Sequence, residues 1–94
     1  MTVARTVTIP LTLPVTVEGS DHRQLIMRRS KVRDRLLVDR LGGSDAEKEV
    51  RLFANLCEVA PEVIEDLDEA DYEALQRAYL GFRKVPSKMS EPPA

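Results

Sequence analysis

Hydrophobic and polar residues alternate along the first part of the chain. From residue 6 to 17 every second side chain is apolar, and the residues between are threonine or proline. A period of two is typical of a β-strand with one buried face, so we predict a strand over 6–17. The apolar side chains expected on one face are Val7, Ile9, Leu11, Leu13, Val15 and Val17.

Two prolines, Pro10 and Pro14, lie four residues apart on this predicted strand. Because proline lacks an N–H group, both should lie on the same strand edge and block pairing there. A blocked edge protects against aggregation or shapes a partner site, and the sequence leaves open whether this strand pairs with another copy.

A second strand is predicted after a turn at residues 18–21. The segment 23–29 places Leu25 and Met27 on one face and Ile26 on the other. The two strands form a β-hairpin, which is marginally stable alone in water. Its apolar face must therefore be covered by helices or by another copy.

Helical periodicity begins after the hairpin. Ser30 is predicted to cap a helix over 31–41, which Gly42 and Gly43 end. Its apolar residues recur at helical spacing: Val32, Leu36, Leu37 and Leu41. Ser44 and Glu47 have the spacing of a capping box for a helix over 45–58.

Two more helices are predicted in the second half. Pro61 suits the first turn of a short helix that reaches Ile64 and Leu67, and Asp68 is placed to cap a last helix. That last helix carries an aromatic-rich stripe of Tyr72, Leu75, Tyr79 and Phe82. Such a stripe forms either core or a helix-in-groove interface, and these four residues are our candidate partner-binding site.

The elements together predict an α+β fold: an N-terminal antiparallel β-hairpin followed by three to four short α-helices. At 94 residues the chain has room for one domain, which we place at 1–85. Residues 86–94 have little to bury and are predicted to form a disordered C-terminal tail. Hydrophobic residues make up 43% and charged residues 32%, a balance typical of a folded domain.

Charge is distributed unevenly. Residues 1–41 carry eight basic and four acidic side chains, a net +4, whereas the remainder carries six basic and twelve acidic, a net −6. The two halves should attract, either within one molecule or between copies in an oligomer. The apolar runs are far shorter than the roughly 20 residues that cross a bilayer, so no membrane association is expected.

The sequence contains few groups that could form a catalytic site. His22 is the only histidine and Cys57 the only cysteine, so a Cys–His pair or a zinc site lacks its parts. His22 is expected as a solvated turn residue, and Cys57 as a buried apolar one in a reducing cytoplasm. The acids between 62 and 73 lack the spacing of a calcium loop. We therefore predict no enzyme activity, no cofactor and no metal.

A basic segment over 28–35 supports an alternative, a small DNA-binding regulator. The basic residues are Arg28, Arg29, Lys31, Arg33 and Arg35. Against this hypothesis, the helix after Gly43 carries Asp45, Glu47 and Glu49, and the whole chain is acidic with a pI near 5.4. Pairing of these arginines with acidic residues is the favoured interpretation, without nucleic acid as a partner.

Four stretches resemble one known family, the small tail assembly chaperones of contractile-tailed, Mu-like phages and prophages. The matching stretches are LTLPVTVEG, LIMRRSKVRDRLL, GGSDAEKEVRLFANLC and VAPEVIEDLDEADYEALQRAYLGF, which together cover roughly residues 9–82. The chain departs from the family pattern at three helix ends. Glu58 stands where glycine is frequent, and Ala60 and Ser30 stand where proline is frequent.

The resemblance implies a function that the residue patterns alone do not supply. Such chaperones bind the tail tape measure protein in the host cytoplasm and keep it soluble while tail tube subunits assemble around it. They are absent from the mature virion, and many are also made as a frameshifted longer form. Self-association is expected as well. Because the mechanism is coverage of apolar helix faces, it needs no cofactor.

Overall fold

The computed structural model describes residues 5–83, which form a hairpin followed by four helices. This confirms the predicted α+β class. The predicted tail at 86–94 lies outside the described residues. In chain order, the elements are β1 (Thr6–Val17), β2 (Ser20–Arg28), α1 (Val32–Leu41), α2 (Asp45–Cys57), α3 (Pro61–Glu65) and α4 (Glu69–Arg83).

The hairpin connection is two residues long rather than the predicted four. Glu18 and Gly19 both have positive φ, 49° and 81°, as a type I′ turn requires. This turn matches the right-handed twist of the strands, so β2 begins at Ser20. The prediction that His22 lies in the turn was therefore wrong, because His22 lies within β2 opposite Val15.

The pairing register of β1 and β2 changes in the middle of β1. Pro10 lies opposite Gln24, whereas Val15 lies opposite His22, so residues 11–14 bulge out of the ladder. A bulge breaks the strict alternation of side chains between the two faces. Ile9 and Val15 are buried, but Leu13 is 55% exposed, so the prediction that Leu13 shares their face was wrong.

The cap residue's side chain accepts a backbone hydrogen bond at the start of α2 and α4. In α2 the predicted capping box is present: the Glu47 N–H donates to the Ser44 hydroxyl at 3.1 Å, and the Ser44 N–H donates to the Glu47 carboxylate at 2.9 Å. At α4 the Ala70 N–H donates to Asp68 at 3.0 Å, as predicted. At α1 the cap is Lys31 rather than Ser30.

The core lies between the apolar face of the hairpin and helices α2, α3 and α4. Its largest fully buried side chains are Phe53, Met27, Leu56 and Leu75. Helix α2 is central because it packs against α1, α3 and β2, while α4 packs across β1. The helices thus cover the hairpin face that the sequence left in need of a partner.

Candidate partner-binding surface

Helix α1 exposes nearly all of its apolar side chains. The predicted stripe is between 43% and 75% exposed: Val32, Leu36, Leu37 and Leu41. Only Val38 and Asp34 are buried on this helix. The stripe therefore faces away from the core of this chain, and α1 offers an apolar surface to a partner.

A polar network holds α1 in this orientation. The Arg28 guanidinium donates two hydrogen bonds of 2.9 Å to the Asp34 carboxylate, and the Asn55 amide donates a third at 2.8 Å. The Lys31 N–H adds a bond of 2.7 Å. The Arg28 hydrogen bonds are the main reason that the pKa of Asp34 is about 2, well below its ordinary value, despite burial. Burying Asp34 turns the leucines outward.

A groove of about 280 Å³ runs beside the exposed leucines, between α1 and the connection from α2 to α3. Its apolar lining consists of Leu37, Val38, Leu41, Ala54, Val59 and Pro61. The polar groups at its edge are already engaged, since Arg51 donates to the Gly42 carbonyl at 2.7 Å and Asn55 donates to Asp34. The groove can therefore accept an apolar ridge without leaving these groups unsatisfied. We call Val32, Leu36, Leu37 and Leu41 together with this groove the α1 surface.

The basic segment divides into an internal and an exposed part. Arg28 binds Asp34, and Arg29 donates to the Phe82 carbonyl at 2.8 Å with its guanidinium 5.2 Å from the centre of the Phe82 ring. Arg33 and Arg35 are exposed, and no ion pair among the residues that the structure describes involves them. Two of the five basic side chains thus stabilise the fold, which weakens the DNA-binding alternative.

The predicted stripe on α4 faces the core. Leu75 is fully buried and Phe82 is 7% exposed. Tyr72 and Tyr79 are partly buried, and each ring lies 5.6 Å from that of Phe53. In this conformation direct contact with a partner is limited to the exposed parts of the two tyrosines. The partner-binding role of the four residues stays a prediction.

Tyr79 reaches the surface at a second groove, of about 230 Å³. This groove lies between α1, α2 and α4 and is lined by Arg35, Val38, Asp39, Lys48, Glu49, Leu52 and Tyr79. On α4, the Tyr72 hydroxyl donates to Glu49, as does the Gln76 amide at 2.9 Å. Burial, and next the bond to Glu49, raise the pKa of Tyr72. The mixed lining makes this groove a weaker apolar binder than the α1 surface.

Within residues 5–83 no group of three or more potential ligands is placed to hold a metal ion. Burial raises the pKa of the Cys57 thiol to about 12, so the reactive thiolate is scarce at neutral pH. No helix in the same range has the length and apolar content that crossing a bilayer requires.

The exposed leucines of α1 were not among the predicted site residues, yet the sequence carried a signal for them. At 100° per residue, Val32 and Leu36 lie on a different side of the helix from Leu37 and Leu41. One buried face cannot hold both pairs. Arg33 and Arg40 also lie between them, which is unfavourable for a core.

Comparison with known protein families identifies the class. The family model described as phage tail assembly chaperone proteins, E, or 41 or 14, matches residues 8–84. The chain therefore belongs to the phage tail assembly chaperone family, as its sequence patterns predicted. No curated protein matches it significantly. No solved structure matches it either.

Membership of this family defines the general role. A tail assembly chaperone has protein partners in tail assembly and acts in the host cell while tails are being built. The family points to a role in binding rather than in catalysis.

Proposed function

We propose that this chaperone binds the tail tape measure protein and keeps it soluble until tail tube subunits assemble around it. The observation that carries the proposal is the α1 surface, where four large apolar side chains are exposed in a small chaperone. An exposed apolar surface rimmed by polar residues is typical of protein-binding sites.

The physical mechanism is reversible burial of apolar area. A long helical client exposes apolar stripes before the tail tube covers them, and those stripes drive aggregation. Contact with the α1 surface removes them from water at a gain of about 25 cal/mol per Å² of apolar area. Since nothing is consumed, the client is released when tube subunits compete for the same stripes. A cofactor has no part in this mechanism.

The proposal extends to related partners in the host cytoplasm. Tail tube subunits, a frameshifted longer form of the chain and further copies of it would meet the same client during assembly. The protein would leave the complex before the virion is complete.

Co-expression with the tape measure protein of the same phage or prophage tests the proposal. We expect a soluble complex that is purified through an affinity tag on this chain. The complex should persist at roughly 0.5 M salt, where interactions between exposed charges are largely screened. A client that stays insoluble, or that is equally soluble without this chain, would refute the proposed client.

A matched pair of variants locates the contact. Leu37→Ser with Leu41→Ser removes two exposed leucines from the α1 surface, whereas Leu80→Ser removes an equally exposed leucine from α4. We expect the first variant to lose the client and the second to keep it, with both folded by circular dichroism. Client binding that is lost only with Tyr79→Ala would place the contact on α4 instead.

The same material separates the chaperone from the DNA-binding alternative. A DNA complex weakens steeply between 50 and 200 mM salt because counterions are released from the phosphates. We expect no such salt-sensitive shift of duplex DNA by the purified chain.

A further inference from the structure

Basic and apolar side chains are interleaved on α1 in a specific order. Arg33 and Arg40 lie seven residues apart, about 10.5 Å along the helix axis. Each is three or four residues from both Leu36 and Leu37, the spacing at which side chains of a helix are neighbours. Along the helix axis, Leu36 and Leu37 therefore have one arginine before them and one after them.

The acidic side chains of α1 do not neutralise these arginines. Asp34 is buried against Arg28, and Asp39 pairs with Lys48 at 3.1 Å. No ion pair within residues 5–83 involves Arg33 or Arg40, and both are exposed. Two positive charges thus lie between the two apolar pairs of the α1 surface, where a bound partner would meet them.

We propose that the α1 surface binds one amphipathic helix of another protein, and that this helix carries two acidic side chains seven residues apart at the ends of an apolar stripe. Two glutamates at that spacing lie on one helix face, as the two arginines do, so both pairs form at once. That this helix belongs to the tape measure protein rests on the proposed function. The acidic and apolar character of the helix is inferred from the α1 surface alone.

Charge argues against a second copy as the occupant. In an antiparallel pair of α1 helices, Arg33 of one copy lies opposite Arg40 of the other, and in a parallel pair each arginine faces itself. Both arrangements bring like charges together where water is excluded, which costs free energy. The other large exposed apolar residues of the described chain are Leu13, Ile26 and Leu80, which lie on three different elements and form no complementary stripe.

The segment 84–94 is an equally poor match for the α1 surface. It carries Lys84 and Lys88 against a single acid, Glu91. Its net charge has the same sign as the surface, so it would be repelled rather than held.

Two synthetic helical peptides of about 21 residues test the proposal, a length at which isolated helices become stable. Both share one leucine stripe; one has glutamate at two positions seven apart beside the stripe, and the other has lysine there. We expect the full chain to bind the glutamate peptide about tenfold more tightly than the lysine peptide, measured by fluorescence anisotropy at low salt. A tenfold difference corresponds to the free energy that two surface ion pairs contribute.

Charge reversal supplies the decisive comparison. The double variant Arg33→Glu with Arg40→Glu should reverse the order and prefer the lysine peptide. Arg77→Glu is the matched control, since Arg77 is an exposed arginine on α4, and it should keep the order of the wild type. Leu37→Ser with Leu41→Ser should weaken both peptides.

Three outcomes would overturn the proposal: equal affinity for the two peptides, no binding of either, or a dimer of the chain that Leu37→Ser with Leu41→Ser converts to monomer. The last would assign the surface to a second copy. A soluble tape measure complex without peptide binding overturns this inference but keeps the proposed function. Peptide binding without a soluble tape measure complex overturns the proposed function but keeps this inference.

Discussion

The carboxylate of Asp71 accepts a bifurcated hydrogen bond from the Thr12 backbone N–H, with its two oxygens at 2.9 and 3.0 Å, and so ties α4 to the bulge in β1. The Leu13 N–H donates to the same carboxylate at 3.2 Å. A bulge leaves such N–H groups without a strand partner, and Asp71 satisfies them from the first turn of α4. Burial opposes ionisation of Asp71, but these backbone donors outweigh it and lower its pKa.

Removal of the Asp71 carboxylate should destabilise the fold. Asp71→Ala leaves the Thr12 and Leu13 N–H groups unsatisfied, and we expect the free energy of unfolding to fall by about 1–3 kcal/mol in urea titration. Glu73→Ala is the control on the same helix and should change it by about 0.5 kcal/mol or less, because Glu73 is exposed. Equal effects of the two variants would show that Asp71 does not hold the bulge.

Acid should destabilise the protein in a defined pH range. The pKa of Asp34 is about 2 in the fold against an ordinary value of 3.8, and that of Asp71 is also lowered. A lowered pKa stabilises the fold above the ordinary value, and this contribution is lost as pH falls through the folded value. Asp34 alone accounts for about 2 kcal/mol. Urea titrations between about pH 5 and pH 1, a range that spans the ordinary and the lowered pKa of Asp34, should show the decline.

Asp34→Asn isolates the share of this residue. The variant is expected to be less stable at neutral pH and to lose less stability between pH 4 and pH 2, with a residual decline from Asp71. An unchanged slope would place the acid sensitivity elsewhere.

Glycine at position 58 should stabilise the protein. Glu58 ends α2 with φ 56° and ψ 45°, the left-handed conformation that glycine adopts most easily. The family resemblance implied glycine at this position, and the left-handed backbone gives a physical reason for it. Glu58→Gly should raise the free energy of unfolding by about 0.5–1 kcal/mol.

Glu58→Ala separates the backbone effect from the side-chain effect. It removes the 3.9 Å contact to Arg28 but keeps the Cβ, and we expect little or no gain. An alanine variant as stable as the glycine variant would show that backbone strain at this position is negligible.

The buried stripe of α4 should respond as a core. Leu75→Ala is expected to cost about 2–5 kcal/mol because the side chain is fully buried. Leu80→Ala, an exposed leucine of the same helix, should cost about 0.5 kcal/mol or less in the same urea titration. A Leu75→Ala variant of native stability that fails to bind the client would instead favour a partner-binding role for Leu75.

Cys57 should be unreactive in the folded chain. Burial of the thiol and the resulting high pKa make reaction with a disulfide reagent at pH 8 at least about 100-fold slower than in the urea-unfolded chain. Fast labelling of the native protein would show that the end of α2 opens readily.

Local patterns predicted most of the elements because their causes are local. The alternation over residues 6–17, the Ser44 and Glu47 capping box and the caps at Pro61 and Asp68 each act within a few residues. The bulge was not predicted from the alternation, and the Asp71 carboxylate that accepts from the Thr12 N–H there lies 59 residues away in the sequence. The Leu13 side chain points outward because the bulge interrupts the alternation of β1.

The candidate site shows the same division. The sequence by itself determined an α+β chaperone with an apolar stripe on α1 and another on α4. Helix periodicity and family motifs depend only on the order of residues along the chain. Only the tertiary structure decided which stripe is buried. Hydrogen bonds from Arg28 and Asn55 hold Asp34 on the buried side of α1, so the leucines of α1 face water. Leu75 and Phe82 of α4 fill the core instead. Helical spacing shows only that one face of α1 cannot bury both of its apolar pairs; which face is buried depends on contacts between distant elements.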